Sequence, residues 1–247
     1  SAFLRLRLNV RTSSAERAID MEVWAKNGRE RFDPAEMRGR RCWAGLDLSA
    51  SRDLTALVLC FADDQGGYDV VPFFWLPADG LATRADEDRA PYTRWRDEGF
   101  LLTCPGRTID PEAVALKIAE LHGQYGIEAL AYDRWRIEDL RRKLDAIGCD
   151  VQLVPHGQGF RDMSPSIDVL ERLVFEVKLR HGGHPVLTMC ASNAKATADA
   201  AGNRKLDKSA SPNQRIDGLV ALAMAVGAAQ RFVPTVLDFE RPLVVTA

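Results

Sequence analysis

The stretch Arg215-Ile216-Asp217-Gly218-Leu219-Val220-Ala221-Leu222-Ala223-Met224-Ala225 opens on one carboxylate and then carries no further charge. From Leu219 to Ala229 every residue is apolar or glycine, so a helix here has no face made for water and the fold must surround it. A membrane span needs roughly 20 such residues, which makes this a core helix. Ser211-Pro212-Asn213-Gln214 predicts its start: Ser211 as the cap, Pro212 in the first turn, and Gln214 closing an S-x-x-Q capping box. Asp217 is then expected about one and a half turns inside. A buried carboxylate is costly unless paired, so Asp217 calls for an Arg, a hydrogen-bonding cage or a cation beside it.

The 247 residues, 46% of them hydrophobic, suffice for one good-sized core, and the length permits one domain or two. The net charge of −2 argues mildly against a nucleic-acid binder, yet it conceals a gradient: residues 1–41 carry ten Lys and Arg against six Asp and Glu. The carboxylate excess of the remainder suits a site for divalent cations. Cys42, Cys60, Cys104, Cys149 and Cys190 are widely spaced with no C-x-x-C, which reads as reduced, buried thiols in a cytosolic protein. No signal-peptide, lipidation or transmembrane pattern is present, so no membrane partner is expected.

Residues 1–40 read as a linker or docking arm, with a short amphipathic helix from Ser14 to Asn27 followed by a charge-dense run containing Pro34 and Gly39. The core opens with three apolar runs, Cys42–Leu48, Leu54–Phe61 and Tyr68–Leu76, joined by the polar turns Ser49–Asp53 and Asp63–Gly67. That spacing predicts an antiparallel meander. Pro77–Gly106 breaks the pattern and reads as an insertion over the surface.

Helix and strand then alternate. Asp110-Pro111 caps a helix with Val114, Ile118, Leu121 and Tyr125 on one face, ended by Gly126. Ile127–Tyr132 predicts a strand, Trp135–Ile147 a helix, Val151–Val154 a strand, and Ser164-Pro165 the start of a further helix. Val186–Ala191 fits a short strand or helix, and Ala200–Ser209 a polar loop. The order implies an α/β fold: a central mixed sheet, three antiparallel strands and then alternating helix and strand, flanked by helices.

Three carboxylates stand out. Asp47 lies in an apolar strand that has no structural use for a charge, Asp133 follows directly on a strand's carboxyl end, and Asp217 opens the last helix. If the first strand and the Ile127 strand are central neighbours with the last helix over them, the three converge. Three carboxylates without His or Cys are hard oxygen donors, suited to Mg²⁺ or Mn²⁺. Two such ions activate a water and stabilise the leaving oxygen in phosphodiester hydrolysis.

Gly45-Leu46-Asp47-Leu48-Ser49, then Asp53-Leu54-Thr55-Ala56-Leu57, then Ala131-Tyr132-Asp133-Arg134-Trp135, then Asn203–Lys208 leading to Arg215–Leu222, together resemble the nuclease domain of tailed-bacteriophage large terminase subunits. Lesser matches lie at Pro72–Pro77, Gln158-Gly159 with Met163-Ser164-Pro165, and Leu179–His181 before Pro185–Leu187. The resemblance covers about residues 40–230 and rests on the order of its motifs. It implies a ribonuclease H-like fold and metal-dependent endonuclease cutting of concatemeric double-stranded DNA during viral packaging, in the host bacterial cytoplasm. Carried over, Asp47, Asp133 and Asp217 match the family's metal-binding aspartates. The family's full-length protein also has an amino-terminal packaging ATPase, and no G-x-x-x-x-G-K-[ST] occurs here. The expected organisation is therefore 1–40 as the segment joining a missing ATPase, 41–235 as the nuclease domain, and 236–247 as a tail. The ATPase, the portal and the small terminase subunit are the expected protein partners of the whole protein.

For DNA contact the candidates are Lys208 first, then Arg204 and Lys205 in the loop before the last helix, and Arg134 beside Asp133. The run Arg134, Arg136, Arg141, Arg142 and Lys143 equally describes a solvated helix face, and Asp53 an Asx-type turn. His181-Gly182-Gly183-His184 reads as a turn and not as a metal site. Two other classes fit parts of the pattern: an actin-like or sugar-kinase-like phosphotransferase, whose fold also opens on G-x-D-x-S, and a non-catalytic scaffold module.

Overall fold

Runs of Val, Leu, Phe and Cys with few charges form the centre of the molecule, because only strands covered on both faces keep such sequences out of water. A computed structural model describes residues 16–30, 32–49, 54–133, 137–208 and 214–232. Three strands, β2 (Cys42–Asp47), β3 (Thr55–Ala62) and β4 (Tyr68–Pro77), form the expected antiparallel meander. The turn before β4 is held by Asp63, whose Oδ1 accepts the N–H groups of Gln65 and Gly67. Helix α4 (Pro111–Tyr125), capped by Asp110 and ended by Gly126 in the left-handed region, feeds β6 (Ile127–Tyr132). β6 lies parallel to β2, and β7 (Leu153–Pro155) parallel to β6. With β5 (Leu102–Cys104) the order across the sheet is β5-β4-β3-β2-β6-β7, and the short β8 (Leu179–Arg180) also pairs with β4. The strand neighbours on which convergence depends, β2 and β6, are thus adjacent at the centre.

Side-chain alternation assigns the two faces. Cys42, Ala44 and Leu46 of β2 join Leu57, Leu59 and Phe61 of β3 beneath α4 and α5 (Ile137–Ile147). Trp43 of β2 with Ala56, Val58 and Cys60 of β3 face α6 (Phe160–Phe175), α7 (Pro185–Asn193) and α8 (Asp217–Phe232). Helix α8 crosses β2 so closely that a Cβ on Gly45 would strike the Ala221 carbonyl oxygen and stand 2.7 Å from the Ala225 nitrogen. Residues 217–229 of α8 are all buried, as its composition requires.

Several expectations change. Helix α8 begins at Asp217, so this carboxylate stands in the first turn and not one and a half turns inside; the proposed cap at Ser211, Pro212 and Asn213 lies outside the described residues. Gln214 to Ile216 are not helical because Arg215 turns to Asp88, binding it through Nε (2.7 Å) and Nη2 (3.0 Å), while its carbonyl accepts from Asn193 Nδ2 (3.1 Å). Pro77–Gly106 is no surface excursion: α2 (Leu81–Asp88), α3 (Tyr92–Asp97) and β5 bury Leu81, Tyr92 and Leu101 in the core. Ser164-Pro165 lies inside α6, which starts five residues before Pro165. Of the stretch read as a polar loop, Ala200–Lys208 belongs to a hairpin of β9 (Ala194–Ala198) and β10 (Arg204–Lys208), its turn closed by Asp199 accepting from Ala201 and Asn203, and Ser209 lies outside the described residues.

The segment read as a linker is, from Glu16 onward, packed against this core. β1 (Glu16–Arg17) pairs with β9, and α1 (Met21–Asn27) is capped by Asp20. Trp24 is 1% exposed, stacked on His181 at 4.0 Å. All five cysteines are free thiols, and only Cys149 is not fully buried. Among the described residues no helix is long and apolar enough to cross a membrane.

Candidate active site

The pairing of Leu46 with Tyr132 in the parallel β2–β6 ladder sets Asp47 and Asp133 side by side, each one residue further on. Adjacent strands lie about 4.8 Å apart. Both acids continue the alternation that faces α8: Trp43 and Gly45 precede Asp47, Ala129 and Ala131 precede Asp133. Asp217 is the first residue of that helix and is buried. Three elements thus bring the three acids to one end of the sheet, where β2 and β6 reach their carboxyl ends.

Electrostatics record how close they are. Asp47 keeps part of its surface open to solvent, yet burial pushes its carboxyl well above the ordinary carboxylate range, and the Asp217 and Asp133 carboxylates push it further. A hydrogen bond from Gln158 Nε2 to Asp47 Oδ1 (3.0 Å) and the charge of Lys208 act in the opposite sense. Beneath the acids lies Cys190 of α7, its thiol pushed up first by burial and then by Asp217. The backbone N–H groups of Gly218 and Leu219 point to that sulfur, which occupies the N-terminal end of α8.

Lys208, at the end of β10, is therefore placed within electrostatic reach of the acids. Arg204 is turned away to α6, where Asp168 and Glu171 (2.7 Å) bind it. Lys205 reaches Asp207 at 3.4 Å and lies over the Phe160 ring. Arg134, Arg136 and Asp53 lie outside the described residues. Further along α5, Arg142 pairs with Asp139 (3.1 Å) and Lys143 with Glu112 (2.8 Å), as on a solvated helix face. His181 and His184 flank a turn with positive φ at Gly182 and Gly183, and His184 Nδ1 caps α7 by accepting from Leu187 N–H.

Gln158, Cys190 and the Asp88–Arg215 pair were not singled out as site residues from the sequence. Gln158 alone carried a usable signal, since it follows the strand next to β6 at the same end of the sheet.

Among the described residues no three His, Cys, Asp or Glu side chains already form an ion-sized cage. What exists is a set of opposed carboxylates, hard oxygen donors whose mutual repulsion a divalent cation would offset. The carboxylates of Asp47, Asp133 and Asp217 are the oxygens that would face such an ion.

Comparison with known proteins places the chain in a family. Residues 1–232 match the family model described as terminase large subunit, endonuclease domain. The large terminase subunit of Enterobacteria phage HK97 is 49% identical over 229 residues, which are 93% of this chain and 44% of that protein. Protein YmfN of Escherichia coli K12 is 23% identical over 94% of this chain and 52% of its own length. The chain thus spans about half the length of these relatives. The crystal structure of the HK97 large terminase superposes with a TM-score of 0.81, covering 92% of this chain and 46% of that one. The large terminase nuclease of thermophilic phage G20c, 14% identical, shares the fold with a TM-score of 0.52 over 79% of this chain and 84% of its own. With an α/β mixed sheet flanked by helices, a ribonuclease H-like arrangement, and a match along nearly its whole length, this chain belongs to the endonuclease-domain family of terminase large subunits.

Proposed function

We propose that this chain is a metal-dependent endonuclease that hydrolyses phosphodiester bonds of concatemeric double-stranded DNA for viral packaging. Asp47, Asp133 and Asp217 would hold two Mg²⁺ or Mn²⁺ ions. The observation that carries this reading is the convergence of Asp47, Asp133 and Asp217 from three separate elements on the carboxyl ends of the two central parallel strands, where the other two carboxylates push the Asp47 carboxyl up. Isolated structural acids are placed to avoid such repulsion. The nuclease of phage G20c, which shares the fold, has also been solved with bound magnesium.

Bound ions would supply an activated water and neutralise the leaving oxygen. The protein's own part is to hold three carboxylates in a fixed arrangement, which α8, β2 and β6 do through their mutual packing. Lys208, whose charge reaches Asp47, is suited to a phosphate of the DNA backbone. Arg204 already serves two carboxylates, so its share in DNA contact is the smaller. Lys205 and Arg134 remain candidates for the same backbone. In the whole protein, an ATPase half, the portal and the small terminase subunit are the proposed partners, and the host bacterial cytoplasm the place of action.

The test is Mn²⁺-dependent cutting of supercoiled plasmid by the wild type and by Asp47→Ala, Asp133→Ala and Asp217→Ala. Each variant should lose cutting by at least about a hundredfold while keeping its circular-dichroism spectrum, on the scale of lost metal ligands. Full cutting by Asp47→Ala or Asp217→Ala would overturn the reading.

A further inference from the structure

Gln158 lies between β7 and α6, far from Asp47 in sequence, and its Nε2 donates to Asp47 Oδ1 over 3.0 Å. A carboxylate offers about four lone-pair directions on two oxygens. One bond to Oδ1 fixes the plane of the group and leaves Oδ2 and the rest of Oδ1 for a cation.

The loop that carries Gln158 is itself fixed. His156 N–H donates to the carbonyl of Tyr132 (2.8 Å), the residue before Asp133. The His156 ring is buried; its Nδ1 donates to the Gly157 carbonyl (2.9 Å), which leaves Nε2 to accept the Ser166 hydroxyl of α6 (2.9 Å). At Gly157 a Cβ would meet the Asp162 carboxylate, so a larger residue there has to turn that side chain aside. His156 thus ties this loop to the end of β6 and to α6, and two residues further along the backbone Gln158 binds Asp47.

We propose that Gln158 is the positioning residue for Asp47, holding that carboxylate in the orientation that accepts a divalent cation. This rests on the metal-dependent nuclease reading. Groups that orient metal ligands typically change metal affinity by about 10–100-fold when removed.

The experiment measures Mn²⁺ binding, from the electron paramagnetic resonance of free Mn²⁺, to the wild type, Gln158→Met, Asp47→Asn and the double variant. Plasmid cutting at saturating Mn²⁺ is followed over a range of DNA concentrations. Gln158→Met is expected to bind Mn²⁺ about tenfold more weakly, about 1.4 kcal/mol, with KM for DNA unchanged. In the Asp47→Asn background it should make no further difference. Wild-type affinity in Gln158→Met, or an equal loss in both backgrounds, overturns the positioning role and leaves the nuclease reading standing. A wild type that binds no more Mn²⁺ than Asp47→Asn overturns both. Should Gln158→Met fail to fold, Gln158→Asn, which keeps the amide and shortens its reach, supplies the same comparison.

Discussion

Burial, and after it the Asp217 carboxylate, push the Asp47 carboxyl above the ordinary carboxylate range. A raised carboxyl pKa means that the folded chain binds a proton more tightly than the unfolded chain, so stability is lost as pH rises from the ordinary value toward the raised one. The metal-free protein is therefore strained at neutral pH by the same acids that a cation would relieve. Asp217→Asn removes one of the opposing charges while keeping the shape. Without metal, at pH 8, it should melt above the wild type by about 2–4 °C, the equivalent of about 1 kcal/mol for a chain of this size. The gain should shrink as the pH falls into the ordinary carboxylate range, where Asp47 is protonated in both proteins. Adding Mn²⁺ should reverse the order, stabilising the wild type alone. Differential scanning calorimetry in EDTA and in Mn²⁺ checks both, and a variant that melts below the wild type in EDTA at pH 8 contradicts the argument. All three acids stood out in the sequence, because a charge in an apolar strand, at a strand's carboxyl end or at the head of an apolar helix calls for a partner. Gln158 was quoted only within a lesser family match and not as a site residue, since an uncharged amide in a loop does not show which carboxylate it meets.

Elements bring those acids together through packing that the sequence showed only in outline. The apolar composition of residues 219–229 announced a surrounded helix, but not which strand it crosses. Gly45, between Ala44 and Leu46, is the clue: it is the one position in β2 where α8 comes close enough to exclude a side chain, facing Ala221 and Ala225 on successive turns. Because the obstacle to a Cβ there is helix backbone and not a flexible side chain, Gly45→Ala must displace α8. The expected cost is about 1–3 kcal/mol. Cutting should fall by about a hundredfold, since a shift of about 1 Å in Asp217 has that effect on a reaction that depends on exact placement. Thermal denaturation and plasmid cutting read the two losses; a variant with wild-type stability and activity would show that β2 and α8 do not pack as described. The start of α8 was misjudged for a related reason. Gln214 to Ile216 stay outside the helix where Arg215 turns to Asp88, a contact across 127 residues that no local pattern contains.

On the scale of the whole molecule, the sequence drew a boundary near residue 40 that the packing does not respect. Charge density, Pro34 and Gly39 in residues 29–41 resemble a linker, and the helix before them has only seven residues. Yet that helix delivers Trp24, whose Nε1 donates to Thr188 Oγ1 at 3.2 Å, and Asn27, whose side chain donates to Val174 O (2.9 Å) and accepts from Leu179 N–H (3.1 Å). Arg40 holds the buried Asp69 and donates to the carbonyls of Phe61 (2.9 Å) and Ala62 (2.8 Å) at the end of β3. These anchors are few and distant in sequence, so their pattern is faint even though each is buried. A chain shortened to begin at Arg41 would lose all of them. Loss of a buried Trp alone costs about 3–5 kcal/mol, a large part of the roughly 5–15 kcal/mol that holds a typical domain together. The shortened chain should therefore lose its cooperative melting transition, or melt at least about 10 °C below the longer one. It should also bind DNA more weakly, because β1 supports β9, β9 carries β10, and β10 ends on Lys208, whose charge reaches Asp47. Circular-dichroism melting and DNA retardation of the two chains, side by side, decide the matter: equal melting temperatures would mean that residues before 41 are a connector after all, and that the packing of Trp24 contributes nothing to the fold.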